Sequence, residues 1–240
     1  MSVATLLLFD VDGTLVWRAS SEHAVALREA LHAVHGLDPA FQHAMSAAGR
    51  TDGEIARLLL LAAGISAEAI DDGVSAVREA SVQAYGRLCP DDLSDRVLPG
   101  IPELLAGLSA REDVRLSLVT GNFEPIARLK LLRAGVGRFF PSGQGGFGSD
   151  SEDRTVLPEI ARRRAGADGV PWPRERTIVI GDTPRDIACA RADGVRVLAV
   201  ATGLYSVDEL AGADAVVTDG FGLAELLGCE PIPDYRTSRL

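Results

Sequence analysis

The 240-residue sequence predicts an α/β protein: an open parallel sheet flanked by helices, with an all-helical segment inserted after the first strand. Three observations carry this expectation. Short unbroken apolar runs such as Leu6-Leu7-Leu8-Phe9 suit strands covered on both faces, as in a parallel sheet. Most of these runs alternate with stretches of helical periodicity, the pattern of βαβ units. Between about residues 20 and 86 the alternation stops, and only amphipathic helical patterns remain.

Taken in order, the first strand runs from Thr5 to Phe9 and stops at Asp10. In the insertion, Ala24, Leu27, Leu31 and Val34 recur at helical spacing and end at Gly36. Ile55, Leu58, Leu59 and Ala62 follow Thr51-Asp52 and end at Gly64, a suitable C′ residue. Ile70, Val74, Val77 and Ser81 follow Ser66, whose hydroxyl suits an N-cap. Pro90 and Pro99-Gly100 punctuate the return to alternation. Helices are then expected over 102–108, 124–134, 157–164 and 186–192, and strands over 114–119, 177–180, 195–200 and 215–217. The tail after Gly228 has no periodicity. These patterns divide the chain into a core of residues 1–16 and 97–240 and a helical insertion of 17–96.

Charge and composition narrow the function. Lys and Arg total 24 against 34 Asp and Glu, a net charge of −10, so nucleic acid and anionic membrane surfaces would repel the chain. No apolar run approaches the ~20 residues needed to span a bilayer. The apolar start lacks a basic region before it and runs straight into Asp10, unlike a secretory signal. Cys89, Cys189 and Cys229 are odd in number and scattered, which fits a reducing cytoplasm. Lys130 is the one lysine; the other basic residues are arginines.

Ligands of open α/β sheets bind beyond the carboxyl ends of the strands. The segments there are Asp10-Val11-Asp12-Gly13-Thr14-Leu15, Thr120-Gly121-Asn122 and Gly181-Asp182-Thr183-Pro184-Arg185-Asp186. Any one of them could be an ordinary turn or helix cap. Together they bring Asp10, Asp12, Asp182 and Asp186 to one sheet edge, where mutual repulsion calls for a cation. A hard oxygen donor set suits Mg²⁺, which keeps waters and pairs with a substrate phosphate.

In order and spacing these strings resemble motifs one, two and four of the haloacid dehalogenase-like hydrolase superfamily, and the resemblance covers nearly the whole chain. It implies a Rossmann-like core with an inserted α-helical cap of the first type, and an aspartyl-phosphate mechanism on a small phosphorylated metabolite. Asp10 would be the nucleophile. Asp12 would protonate the leaving oxygen and then activate water. Mg²⁺ would be held by Asp10, Asp182 and the Asp12 carbonyl. Thr120, with the backbone N–H groups of Gly121 and Asn122, would hold the transferring oxygens at a helix N-terminus. Asp186 would either orient metal-bound water or lie in the first turn of its helix.

The family's third motif, a basic residue that is usually lysine, has no lysine in the expected stretch 147–154. Arg154 is the first candidate for its phosphate-binding role. Lys130 is the competitor, about two turns into the helix after Thr120 and ~10 Å from its phosphate end by helix rise. Within the cap, Arg50 in the turn Gly49-Arg50-Thr51-Asp52 is a candidate for a substrate anion, or for neutralising the acidic residues beside it. His23, His32, His35 and His43 read as surface residues, and Trp17 as hinge packing.

The expected activity is a Mg²⁺-dependent phosphatase for phosphoglycolate or a sugar phosphate. Asp12 argues against a dehalogenase, which lacks that second aspartate in this superfamily. The absence of a cap lysine argues against the phosphonatase branch. A phosphoglucomutase-like transferase shares every core motif, and a catalytically silent binding protein on the same core is the alternative outside enzymes. A monomer or homodimer is expected.

Overall fold

The structure, a computed structural model, describes residues 4–17, 19 and 21–229. Six parallel strands form one sheet: β1 (Thr5–Phe9), β2 (Val114–Thr120), β3 (Gly146–Phe147), β4 (Thr177–Gly181), β5 (Arg196–Val200) and β6 (Ala215–Val217), in the order β3-β2-β1-β4-β5-β6. Alternate side chains of β1 face opposite layers, as the twofold period of a strand requires. Leu7 and Phe9 join a cluster with Leu118 and Ile180 under the helices α4 (Ile101–Ser109), α5 (Glu124–Arg133) and α8 (Gly220–Leu226). Leu6 and Leu8 join Val119, Val179 and Val197 under α6 (Leu157–Ala165) and α7 (Pro184–Asp193). The central run is therefore apolar on both faces, which is why it reads as unbroken in the sequence.

The helical cap is inserted between β1 and β2. Its helices α1 (Ser21–His35), α2 (Asp52–Ala62) and α3 (Ala67–Leu88) enclose an apolar cluster of their own, with Leu27, Leu31, Leu60, Ile70 and Val77 at its centre. Thr51 caps α2 by accepting from the Glu54 backbone N–H, and Ser66 caps α3 by accepting from that of Ala69. Gly36 and Gly64 end their helices in the left-handed conformation.

Two elements depart from the expectation. β3 is only two residues long, too short for any periodicity, and pairs with the end of β2. α8 begins at Asp219, whose side chain accepts from the Gly222 N–H; its two glycines hide the helical pattern. The tail, read as irregular, lies outside the described residues beyond Cys229. Among the described residues no helix is long and apolar enough to cross a membrane.

Candidate active site

The register of the sheet assembles the site. Phe9 pairs with Leu118 on one side and Ile180 on the other, so Asp10, Thr120 and Asp182 leave the sheet at nearly one level. The chain passes from β1 to β2 on one flank and reaches β4 on the other, making β1 the switch point where a crevice opens. Gly13, at φ +84°, turns the chain beneath Asp182; a Cβ there would lie 2.2 Å from that carboxylate.

Asp10, Asp182 and Asp186 are all buried, with one oxygen of each lying within 4.8 Å of the others. Arg154 enters this cluster from the turn before α6: its Nη2 lies 2.5 Å from Asp186 Oδ1 and 3.1 Å from Asp10 Oδ2, and its Nη1 donates to the Gly49 carbonyl (3.1 Å). Its Nε is buried and has no partner among the described residues. Asp186 is fully committed. Oδ2 accepts from the Thr183 N–H and hydroxyl in a capping box at the start of α7, while Oδ1 faces Arg154. It therefore lies in the first turn of its helix, one of the two places expected, and holds the guanidinium.

Three carboxylates face one guanidinium, so two negative charges stay uncompensated if all ionise. The protonation equilibria register this deficit. Burial pushes the Asp10 pKa up to about 6, with Arg154 opposing and Asp186 adding to the rise. Burial, then Asp186 and Asp10, push Asp182 up to about 8. The Thr14 hydroxyl donates to Asp182 Oδ1 (3.2 Å) and compensates only in part. A hard divalent cation matches both the missing charge and the oxygen donors of Asp10 and Asp182.

Asp12 lies in a different environment. Lys130, fully buried, donates from Nζ to both Asp12 oxygens (2.8 and 2.6 Å) and to Asn122 Oδ1 (2.8 Å), and Asn122 Nδ2 donates to Asp12 Oδ2 (2.9 Å). Burial alone would raise the Asp12 pKa, but the Lys130 ammonium and the hydrogen bonds from Lys130 and Asn122 carry it below the ordinary value. Lys130 Nζ lies 3.2 Å from His23 Nδ1, and His23 Nε2 lies 3.0 Å from Asp52 Oδ2, which also accepts from the Phe123 N–H (2.7 Å).

The cap meets this edge at the Arg50 turn. The Asp52 N–H donates to the Gly121 carbonyl (2.8 Å), and Thr51 Oγ1 donates to the Glu152 carbonyl (2.7 Å). A Cβ on Gly121 would lie 2.1 Å from the Arg50 carbonyl oxygen, so only glycine admits this approach. Thr120 is buried beneath, its Oγ1 accepting from the Asn122 N–H (3.4 Å).

The structure thus brings Asp10, Asp12, Thr120, Gly121, Asn122, Arg154, Lys130, Asp182 and Asp186 to one edge. Lys130 reaches it by contacting Asp12. Arg50 turns its guanidinium to Glu54 and to the Ser46 carbonyl, within its own loop and helix. His23 requires a correction: it is 7% exposed, not a surface residue, because it lies on the buried face of α1 with Ala26, Leu27, Ala30 and Leu31. His23 and Asp52 were missed as site residues. Both sit at positions where the helical stripe demands an apolar side chain, and that mismatch was the available signal. Trp17 is 41% exposed where the chain leaves the core. A cavity of about 370 Å³ between Thr5, Leu108, Val114 and Leu226 opens at the amino ends of the strands and contains none of these groups.

Known proteins resemble this chain along most of its length. A phosphoglycolate phosphatase from Rhodospirillum rubrum is 33% identical over 231 residues, covering 92% of this chain and 90% of the relative. A hydrolase from Pseudomonas syringae of known structure is 25% identical, with a TM-score of 0.62 over 93% of this chain and 98% of its own. A β-phosphoglucomutase from Clostridium difficile is 18% identical with a TM-score of 0.65, over 95% of this chain and 96% of its own, a likeness of fold alone. Residues 7–191, from β1 into α7, match the model of the haloacid dehalogenase-like hydrolase, and the chain belongs to that family.

Proposed function

We propose that this protein is a Mg²⁺-dependent phosphatase that hydrolyses a small phosphate monoester, phosphoglycolate or a sugar phosphate, through a phosphorylated Asp10. The observation that carries the reading is the separation of two aspartates two residues apart into different environments. Asp10 sits in a cluster whose three carboxylates face one guanidinium, and Asp12 is braced by its own lysine. One fold thus presents a nucleophile where a cation and a phosphoryl group are needed, and a proton carrier beside it.

Asp10, Asp182 and the Asp12 carbonyl would hold the ion, whose charge lets an anionic nucleophile approach an anionic ester. Asp10 attacks phosphorus as the bond to the leaving oxygen breaks. Asp12, ionised beside Lys130 in the free protein, would take up a proton as substrate binds and deliver it to that oxygen, so the alcohol departs neutral. Water then attacks the phosphorus of the acyl phosphate, Asp12 takes its proton, and Asp10 is released with inorganic phosphate. Arg154, whose Nη2 lies 3.1 Å from Asp10 Oδ2, supplies positive charge to the phosphoryl oxygens. Thr120 and the backbone N–H groups at the start of α5 bind the remaining oxygens.

A rapid-quench experiment with ³²P-labelled phosphoglycolate tests this. Label bound to wild-type protein, released by hydroxylamine and absent from Asp10→Asn, is the expected result. Phosphate release without bound label would contradict the covalent step.

A further inference from the structure

We infer that His23 and Asp52 are positioning residues for the acid–base step: Asp52 braces His23, His23 braces Lys130, and Lys130 sets the place of the Asp12 carboxylate. This rests on the reading of Asp12 as proton carrier.

The geometry is closed and directional. Lys130 Nζ has three protons, and its four acceptors are the two Asp12 oxygens, Asn122 Oδ1 and His23 Nδ1. An ammonium cannot accept, so His23 Nδ1 is the acceptor of that contact and the proton sits on Nε2, facing Asp52 Oδ2 at 3.0 Å. Asp52 is fixed in turn by the Phe123 N–H, and its own N–H donates to the Gly121 carbonyl. Every member of the chain from Lys130 to Asp52 is buried. A long lysine side chain has several rotatable bonds. Without a partner on its far side, it could leave Asp12 for other rotamers.

The origin of the brace adds to the argument. Lys130 and Asn122 belong to the core, whereas His23 and Asp52 come from cap helices α1 and α2. Asp52 touches the motif-two turn directly, so the brace is complete with the cap seated as it is here. None of this is needed for packing: a leucine at position 23 would suit the stripe of α1 better than a histidine that must find two partners.

A misplaced acid hurts most when the leaving group needs a proton. The experiment therefore compares kcat/KM, which reports the steps through phosphorylation of Asp10, for p-nitrophenyl phosphate and for phosphoglycolate, with Mg²⁺. The first leaves as a stable phenolate; the second must leave as a poor alkoxide or be protonated. His23→Ala is expected to lower kcat/KM for phosphoglycolate about 10- to 100-fold, less than the roughly 10²- to 10⁴-fold cost of losing the acid–base group itself, and at least about tenfold more than for p-nitrophenyl phosphate. Asp52→Ala should show the same bias. His23→Gln, whose amide can face both Lys130 and Asp52, should recover much of the loss, which also guards against a folding defect. Equal losses on both esters, or no loss on either, would overturn the inference while leaving the phosphatase reading intact. A wild-type protein that hydrolyses neither ester would overturn both.

Discussion

Replacing Arg154 by methionine removes the one guanidinium from a buried cluster of three carboxylates. The side chain is 5% exposed, so solvent screening gives little relief, and Asp10 and Asp186 both lose a partner within 3.1 Å. Breaking a buried ion pair by deleting one member costs about 3–5 kcal/mol. For a chain of this size each kcal/mol moves the melting temperature by about 2–4 °C, so the metal-free variant should melt about 6–20 °C below wild type. Mg²⁺ should narrow that gap, because it supplies charge to the same carboxylates. Phosphate release should fall about 100- to 1000-fold, the loss typical of removing one preorganised donor from a developing anion. Arg154→Lys should fall between the two: it keeps the charge but cannot face the carboxylates and the Gly49 carbonyl together. Thermal unfolding in EDTA and in Mg²⁺, with turnover measured on the same samples, reads all of this. Metal-free Arg154→Met melting within 2 °C of wild type, or turning over undiminished, would refute the reasoning.

Other consequences follow from the same geometry. Lys130→Met leaves Asp12 without its cation, and turnover should fall about 100-fold with KM little changed; a change confined to KM would assign Lys130 to substrate instead. Gly121→Ala drives a Cβ into the Arg50 carbonyl, so the cap cannot seat; kcat/KM should fall steeply while circular dichroism stays native, and undiminished activity would show that this approach is not needed. Asp10 and Asp182 are raised carboxylates, so between the unfolded value near 3.8 and the folded values of about 6 and 8 the native state holds more protons than the unfolded chain. The stability of metal-free protein should therefore fall as pH rises from about 5 to about 8, and stabilisation by Mg²⁺ should grow over that window. Flat or rising stability in EDTA would contradict the charge deficit.

The fold was legible because its central strands are buried on both faces: 5–9 and 177–180 are too apolar for surface elements and too short for buried helices, and 114–119 keeps Val114, Leu116, Leu118 and Val119 despite Arg115 and Ser117. The ends of those strands then named Asp10, Asp12, Thr120 and Asp182, since topology alone brings them to one edge. The partner of each carboxylate was not legible. Arg154 and Lys130 competed for a single cationic role in the sequence; the structure gives them different carboxylates, one on the Asp10 cluster and one on Asp12. That division depends on side-chain reach across helices, which spacing along the chain does not encode. His23 escaped notice for a related reason: the spacing phases its helix on Ala24, Leu27, Leu31 and Val34, whereas the buried stripe keeps Leu27 and Leu31 but runs through His23, Ala26 and Ala30 in place of Ala24 and Val34. A polar side chain on such a stripe at a helix start, like Asp52 on α2, is the mark to look for.

The most direct test of the central claim is product analysis of phosphoglycolate and β-glucose 1-phosphate turnover by wild-type protein, in Mg²⁺ and in EDTA. The account predicts free inorganic phosphate from at least one ester, dependent on Mg²⁺ and lost in Asp10→Asn. Glucose 6-phosphate formed without phosphate release, or release undiminished by EDTA or by Asp10→Asn, would contradict it.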